Sequence, residues 1–251
     1  MGAFGLLQVL GHRLRWQVVS ELSRSDLRVG ELTAATGQPQ NLVSYHLRLL
    51  RETGLVHERR GSADGRDVYY SLDRRAVTMG LHRAIAALDP GAGMVAPAAP
   101  FRGTRSSTST TSVLFLCTGN SARSQIAEAI LRQLAGQRVL VRSAGTHPVG
   151  VHRQVRRVLA ARGIRAGTLR SKSFAEFSGQ RFDYVVTLCD IARDELIRPA
   201  GKPQTRHWSI ADPAVRGGRT RVATAFERVT DEIQLRVEDL YADLLHRRSA
   251  A

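Results

Sequence analysis

Cys117 and Arg123 stand at the two ends of a short run of small residues that could hold an oxyanion against a sulfur nucleophile. An apolar stretch, 113–116, leads into the cysteine and predicts a buried strand, and residues 126–135 have the spacing of a helix. The residues between the cysteine and the arginine are Thr118, Gly119, Asn120, Ser121 and Ala122. The sequence therefore predicts a strand, an anion-binding loop and a helix N-terminus in direct succession.

Such a loop would bind an oxyanion through three kinds of donor. The backbone N–H groups of residues 118–123 can curl toward one point, and the following helix adds its unsatisfied N–H groups and the positive end of its dipole. Arg123 supplies a planar two-pronged donor that matches phosphate-like oxygens. Because the same field stabilises a negative sulfur, Cys117 is predicted to be a thiolate nucleophile. Ser124 is predicted to donate a hydrogen bond to that sulfur or to the departing sulfur.

The loop CTGNSARSQ, residues 117–125, resembles that of the low-molecular-weight tyrosine phosphatase fold, and within it that of the thiol-linked arsenate reductases. The resemblance continues in SAGT at 143–146, VVTLCD at 185–190 and DPA at 212–214, and it covers nearly all of 112–251. It implies that Asp212 handles the proton of the leaving oxygen. Ala214, where the phosphatases usually have an aromatic residue, favours the reductase.

The second cysteine departs from the three-cysteine relay of the thioredoxin-linked arsenate reductases. Cys189 matches the first of the paired cysteines, but Leu196 stands where the last is expected. Two routes stay open: Cys189 attacks the adduct on Cys117, or an external thiol does so, either mycothiol or glutathione with a redoxin. No bound cofactor is expected.

Composition limits the class of protein. The formal net charge of +15 comes almost entirely from arginine, since lysine occurs only at 172 and 202, and such a field attracts oxyanions and DNA. Two cysteines make no disulfide framework and fit a reducing cytoplasm. No apolar run reaches membrane-spanning length and no signal peptide is evident, so we expect a cytoplasmic protein with no membrane partner.

The N-terminal part alternates helices with a hairpin. Helical spacing covers 5–22, 29–36, 38–52 and 73–88, and two alternating strands, at 55–60 and 66–72, flank an Asp-Gly turn. This order is that of a winged helix-turn-helix, and QNLVSYHLRLLRETGLVHERR resembles the recognition helix and wing of ArsR-type repressors.

The outward polar residues of this part are predicted to contact operator DNA. Those on the helix would read base edges in the major groove, and those on the hairpin would contact phosphates or the minor groove. They are Gln40, Asn41, Ser44, Tyr45, Arg48, Arg59, Arg60 and Arg66. Two copies paired through the first and last helices would double these contacts, so we expect a homodimer.

This part departs from the ArsR-type arsenite sensors in one respect. Those sensors bind the metalloid through cysteines, yet residues 1–116 contain none. The histidines form no tight cluster, and His46 is interpreted as a packing residue. We therefore expect no metal site here and a DNA-binding module without its own sensor.

Domain organisation and fold class follow from these patterns. We expect a winged helix-turn-helix domain at 1–89, a Pro/Gly/Ser/Thr-rich linker at 90–111 and a second domain at 112–251. In the second domain, the predicted strands are 112–117, 138–143, 183–188 and 205–209, with helices at 122–135, 151–162, 190–197 and 221–246. Strands that alternate with helices predict an α/β fold with a doubly wound, four-stranded parallel sheet.

The sequence favours a DNA-binding regulator fused to an arsenate reductase. Two alternatives remain open. The second domain could be a protein-tyrosine or aryl-phosphate phosphatase, because the same loop, cysteine and acid serve that reaction. It could also be a sensor of oxyanion or redox state without turnover.

Overall fold

A computed structural model describes residues 3–88, 110–167, 169–195, 199–214 and 218–249. The chain separates into two compact units, Met1–Arg105 and Ser106–Ala251. Of the predicted linker, residues 90–109 lie outside the described ranges. Each unit has its own apolar core, so each is described by itself.

The first unit is a winged helix-turn-helix. Its elements are α1 (Ala3–Leu10), α2 (Arg13–Leu22), β1 (Leu27–Arg28), α3 (Val29–Thr36), α4 (Gln40–Glu52), β2 (Val56–Arg60), β3 (Val68–Leu72) and α5 (Arg74–Leu88). The three strands form an antiparallel sheet in the order β1-β3-β2. The predicted helix, helix-turn-helix, hairpin and helix are therefore confirmed in kind and order.

One local prediction for this unit is wrong, and one strand was not predicted. The helix expected over 5–22 is two helices, because His12 takes an extended conformation and its ring accepts a hydrogen bond from the Leu14 N–H, which starts α2 afresh. Strand β1 was not predicted, since two residues are too few to show a period.

The second unit alternates strands and helices. Its elements are β4 (Thr111–Cys117), α6 (Arg123–Ala135), β5 (Val139–Gly145), α7 (Arg153–Ala161), β6 (Tyr184–Thr187), α8 (Asp190–Asp194), β7 (Gln204–His207) and α9 (Arg219–Ser249). The strands form one parallel sheet in the order β5-β4-β6-β7. The predicted doubly wound sheet is confirmed, with α8 and the bounds of several elements shifted by a few residues.

Strand β4 is central and buried on both faces, which explains its continuous apolar sequence. Val113 and Phe115 point into the larger core, which helices α6, α7 and α9 also line. Leu114 and Leu116 point the other way, into a smaller core with Phe177. The strand order reverses beside β4, and in such sheets ligands bind at the carboxyl ends of the strands at this point. Its last residue, Cys117, lies there.

No helix within the described ranges is both long enough and apolar enough to cross a membrane.

Candidate active site

Most backbone N–H groups of the loop between β4 and α6 have no acceptor among the described residues. None of the N–H groups of residues 119–123 has a hydrogen-bond acceptor among the described residues, whereas several loop carbonyls are tied to the neighbouring segment 147–152. The N–H groups of His147, Val149 and His152 donate to the carbonyls of residues 118, 119 and 121, at 2.8, 3.1 and 3.0 Å. With the carbonyls held in this way, five N–H donors remain for an anion.

Thr118 does not fit the predicted set of oxyanion donors. Its N–H donates to the sulfur of Cys189 at 3.3 Å, and its hydroxyl lies 3.3 Å from the same sulfur. The reason is that Thr118 directly follows the last residue of β4 and lies beside the chain that leaves β6, where Cys189 accepts its N–H. The other predicted donors, Gly119, Asn120, Ser121, Ala122 and Arg123, keep their N–H groups available.

The Ser124 hydroxyl lies 2.9 Å from the sulfur of Cys117. The direction of this hydrogen bond follows from Asn120. The Asn120 carbonyl oxygen accepts the Lys172 backbone N–H at 2.7 Å, so its amide nitrogen is the atom that donates to the Ser124 oxygen, at 2.9 Å. The serine proton is then left for the sulfur, so Ser124 donates its hydrogen bond to Cys117.

Asn120 holds the loop to three other segments. Besides Ser124 and Lys172, it contacts Gln125 and Ser143: its carbonyl oxygen accepts from the Gln125 amide at 2.8 Å, and its amide donates to the Ser143 hydroxyl at 2.9 Å. Its φ is +41°, a backbone conformation that asparagine tolerates better than most residues. The side chain is fully buried, so each of these hydrogen bonds is made without competition from water.

A buried cluster of charges lies behind Asn120. The Lys172 ammonium lies 3.1 Å from the Glu128 carboxylate, and the two side chains are only 10% and 3% exposed. Glu128 also accepts from Ser143 and from Arg132. Lysine and glutamate are almost never buried unless paired. The pairing of Glu128 with Lys172 was not predicted, because the two residues are 44 positions apart in the chain.

Gly145, the last residue of β5, allows the loop to approach the strand. A Cβ atom at this position would lie 2.6 Å from the carbonyl oxygen of Thr118 and 2.7 Å from the nitrogen of Asn120. Both neighbours are backbone atoms, so neither can move aside alone. The glycine of the SAGT segment is therefore a requirement of the loop.

Arg123 and Asp212 form an ion pair at the loop. The guanidinium donates to the carbonyl of Ile210 at 2.9 Å and to the Asp212 carboxylate at 3.1 Å. The arginine side chain is 9% exposed and the aspartate side chain 59% exposed. Asp212 also accepts the Ala214 N–H at 2.9 Å, which fixes its second oxygen. The loop after β7 thus brings a carboxylate that solvent reaches to the arginine of the anion loop.

Cys189 follows β6 and lies beside Thr118, the residue after Cys117. Burial raises the pKa of the Cys189 thiol above its ordinary value, and the neighbouring Cys117 also raises it. The positive charge of Arg123 lowers the pKa but does not cancel the effect of burial. Cys189 is therefore a neutral thiol at neutral pH. Both cysteines are buried and free. Leu196, where the relay would have its third cysteine, lies outside the described residues.

A second buried polar group adjoins Cys189 and was not predicted. The carboxylate of Asp190 accepts from the Ser209 hydroxyl at 2.6 Å and lies 3.1 Å from the His207 ring. The other ring nitrogen of His207 lies 2.8 Å from the Thr187 hydroxyl. These bonds join the ends of β6 and β7 to α8 and so fix the segment that carries the second cysteine.

The predicted DNA-contacting residues lie on exposed parts of the first unit. Gln40, Asn41, Ser44, Tyr45 and Arg48 are exposed on one side of α4, whereas Val43, His46, Leu47 and Leu50 are buried on the other. Arg60 and Arg66 are exposed on the hairpin, and Arg59 is half-buried.

His46 is a packing residue, as interpreted from the sequence. It is 4% exposed and its ring lies 4.4 Å from that of His12. Burial lowers its pKa, and the neighbouring charges of His12 and Arg15 lower it further. Within the described ranges, no group of three or more His, Cys, Asp or Glu residues is placed to bind a metal ion.

The fold and loop define a protein of the phosphatase-loop class with a helix-turn-helix unit before it. Residues 112–250 match the low molecular weight phosphotyrosine protein phosphatases, and residues 13–58 match the bacterial regulatory proteins of the arsR family. Since the first match covers more than half of its length, the chain belongs to the low molecular weight phosphotyrosine protein phosphatase family.

Known relatives of the second unit are arsenate reductases. The chain is 35% identical over 127 residues to the arsenate reductase of Halalkalibacterium halodurans, which covers 50% of the chain and 91% of that protein. It is 34% identical over 128 residues to the arsenate reductase of Bacillus subtilis, covering 51% and 92%. Among solved structures, an arsenate reductase from Archaeoglobus fulgidus is 34% identical and covers 51% of the chain and 97% of its own, with a TM-score of 0.43.

Proposed function

We propose that the chain is a thiol-dependent arsenate reductase fused to an arsR-type DNA-binding unit. The observation that carries the proposal is the loop itself. Five free N–H groups surround the position next to a buried sulfur that receives the Ser124 proton. The similarity to arsenate reductases over 127 and 128 residues supports arsenate as the oxyanion.

The first half-reaction forms a bond between sulfur and arsenic. The Cys117 thiolate attacks arsenate held by the loop N–H groups and Arg123, and the bond from arsenic to one oxygen breaks. Asp212 gives its proton to that oxygen, which leaves as water. Arsenic remains in the pentavalent state as a thioester-like adduct on Cys117.

The second half-reaction transfers two electrons. A second thiol attacks the sulfur of Cys117, the electron pair of the sulfur–arsenic bond passes to arsenic, and trivalent arsenite departs while the two sulfurs become a disulfide. Cys189 is one such thiol, because its sulfur bonds the residue next to Cys117. Mycothiol or glutathione, with a redoxin, is the other, and fits a protein of a reducing cytoplasm. In either case, two external thiols are consumed for each arsenite formed.

The activity is tested by arsenite formation from the purified full chain with arsenate, each thiol and a redoxin system. Cys117→Ser should abolish turnover. Cys189→Ser separates the two routes: full activity assigns the second step to the external thiol, and a loss above about 100-fold assigns it to Cys189. No arsenite with any thiol system, together with rapid hydrolysis of an aryl phosphate, would instead identify a phosphatase.

We further propose that the first unit binds operator DNA as a homodimer. The exposed polar face of α4 supports the DNA contact. The exposed apolar residues of α1 and α5 support pairing through these helices: Phe4, Leu7, Met79, Ile85 and Leu88 are all at least 45% exposed. Sedimentation of the full chain should give a dimer, and Leu7→Lys with Ile85→Lys should give a monomer that binds operator DNA at least tenfold more weakly.

A mobility-shift assay with arsenate, arsenite or oxidant decides whether the second unit also controls the first. An unchanged shift in every case means that the DNA-binding unit only tethers the enzyme. A shift that changes with arsenate in the Cys117→Ser variant would favour an oxyanion sensor.

A further inference from the structure

A cavity of about 360 Å³ in the second unit is lined by three arginines and a glutamine: Arg153, Gln154, Arg157 and Arg219. No hydrogen-bond or ion-pair partner is found for the side chains of the three arginines among the described residues. The nearby acids do not reach them: Glu227 and Asp231 on α9 both pair with Arg162, at 2.6 Å each. Three like charges around one cavity repel each other, and a bound anion would remove that repulsion.

One end of the cavity lining adjoins the loop between Cys117 and Arg123. Arg153 begins α7 directly after His152, whose N–H holds the carbonyl of Ser121 in the loop. Arg219 begins α9 shortly after the segment that carries Asp212. Both segments follow carboxyl ends of strands, where the site lies. Arg153, which lines the cavity, is therefore one residue from a direct backbone contact with the loop that follows Cys117.

We propose that this arginine cavity binds the carboxylates of a small anionic thiol, the external reductant of Cys117. The inference rests on the proposed arsenate reductase activity. A concave site of this volume suits a small molecule better than a protein surface, and guanidinium groups match carboxylates in geometry and charge. The anchored thiol attacks the sulfur of the adduct, so that a mixed disulfide with Cys117 forms as arsenite leaves. A second molecule of the thiol then releases Cys117 and leaves as the symmetric disulfide.

The kinetic test compares glutathione, a thiol with two carboxylates, with the uncharged 2-mercaptoethanol. In the full chain with R153Q, R157Q and R219Q combined, the KM for glutathione should rise at least tenfold and kcat should change less than twofold. The kcat/KM for 2-mercaptoethanol should stay within twofold. Equal losses with both thiols, or no loss with glutathione, would overturn the assignment.

A charge-matched control separates binding in the cavity from general attraction. R165Q, R181Q and K202Q remove the same total charge from exposed positions elsewhere in the unit, and the KM for glutathione should then change less than twofold. If these substitutions raise the KM as much as the cavity variant does, the cavity has no special role. If only a redoxin protein supports turnover, and the cavity variant weakens that protein instead, the small-thiol assignment is also wrong.

A binding measurement keeps the inference independent of turnover. S-methylglutathione cannot react, so its affinity for the Cys117→Ser chain, measured by calorimetry, reports on the cavity alone. We expect millimolar or tighter binding that the R153Q, R157Q and R219Q substitutions weaken at least tenfold. Binding without arsenate turnover would contradict only the proposed activity, whereas turnover without binding would contradict only the cavity.

Discussion

At the scale of single residues, the site depends on Asn120 as much as on the nucleophile. Its amide and carbonyl oxygen each make two hydrogen bonds, and they join the loop to α6, to β5 and to the segment at 172. This role fixes the direction of the hydrogen bond that the Ser124 hydroxyl donates to the sulfur of Cys117. The sequence placed Asn120 in the loop, but its partners Ser143 and Lys172 are 23 and 52 residues away, and only the fold brings them together.

Replacement of Asn120 by alanine tests this role. It leaves buried donors and acceptors without partners, so we expect a loss of about 2–4 kcal/mol in the free energy of unfolding of the second unit and at least a 100-fold loss of kcat. Urea unfolding and arsenite assays measure the two effects. Asn120→Gly is the matched control, since glycine takes a positive φ freely: if it restored stability and activity, the backbone conformation rather than the hydrogen bonds would be responsible.

Cys189 gives a prediction for pH. Because burial raises its pKa, its alkylation by iodoacetamide should keep increasing with pH beyond the point at which the unfolded chain levels off. Mass spectrometry of the Cys117→Ser chain, folded and in urea, follows Cys189 alone. A folded-state profile that levels off at the same pH as the unfolded one, or earlier, would show that the thiol is not perturbed.

At the scale of elements, the strands were easier to predict than the packing between them. The apolar run of β4 and the alternation of strand and helix patterns after it predicted the order of the strands and helices. The buried pairing of Lys172 with Glu128 gave no local signal, because the two residues are 44 positions apart and nothing in the sequence distinguishes a buried, paired lysine from an exposed one. The break between α1 and α2 was also missed, since the leucine spacing runs through Gly11 and only the capping geometry of His12 reveals it.

The contact between β5 and the loop can be tested with Gly145→Ala. The added methyl group would overlap backbone atoms of residues 118 and 120, so the loop must move, and we expect kcat to fall at least tenfold while circular dichroism stays near that of the parent chain. Gly30→Ala in α3 is the control: a Cβ there meets nothing within 4 Å, so it should leave activity unchanged and stabilise the first unit by about 0.5–1 kcal/mol.

The buried ion pair between α6 and the segment at 172 can be tested by a double-mutant cycle. Lys172→Met leaves the Glu128 carboxylate buried with Arg132 as its remaining cation, and we expect a cost of about 3 kcal/mol in urea unfolding. Adding Glu128→Gln should recover more than half of that cost, because the unpaired charge is gone. If the two changes were additive, the pair would contribute nothing as a pair.

At the scale of the whole molecule, the two units have separate cores and should unfold as separate steps. The apolar cluster of the first unit and those of the second share no residue. We expect two transitions in calorimetry. Asn120→Ala should lower the midpoint temperature of only one of them, because a substitution in one core does not destabilise a separate core. A single transition that moves as a whole in this variant would show that the units are coupled in stability. The sequence predicted two units from the change in composition at 90–111, where apolar periodicity stops.

The ion pair between Arg123 and Asp212 places a competitor for bound anions at the loop. Any tetrahedral anion that enters the loop must share the guanidinium with a carboxylate that already occupies it, and must carry enough charge to displace it. Chloride, with a single charge and no second atom to reach the N–H groups of the loop, is thereby held less tightly than a divalent oxyanion, which can displace the carboxylate and still bind those donors.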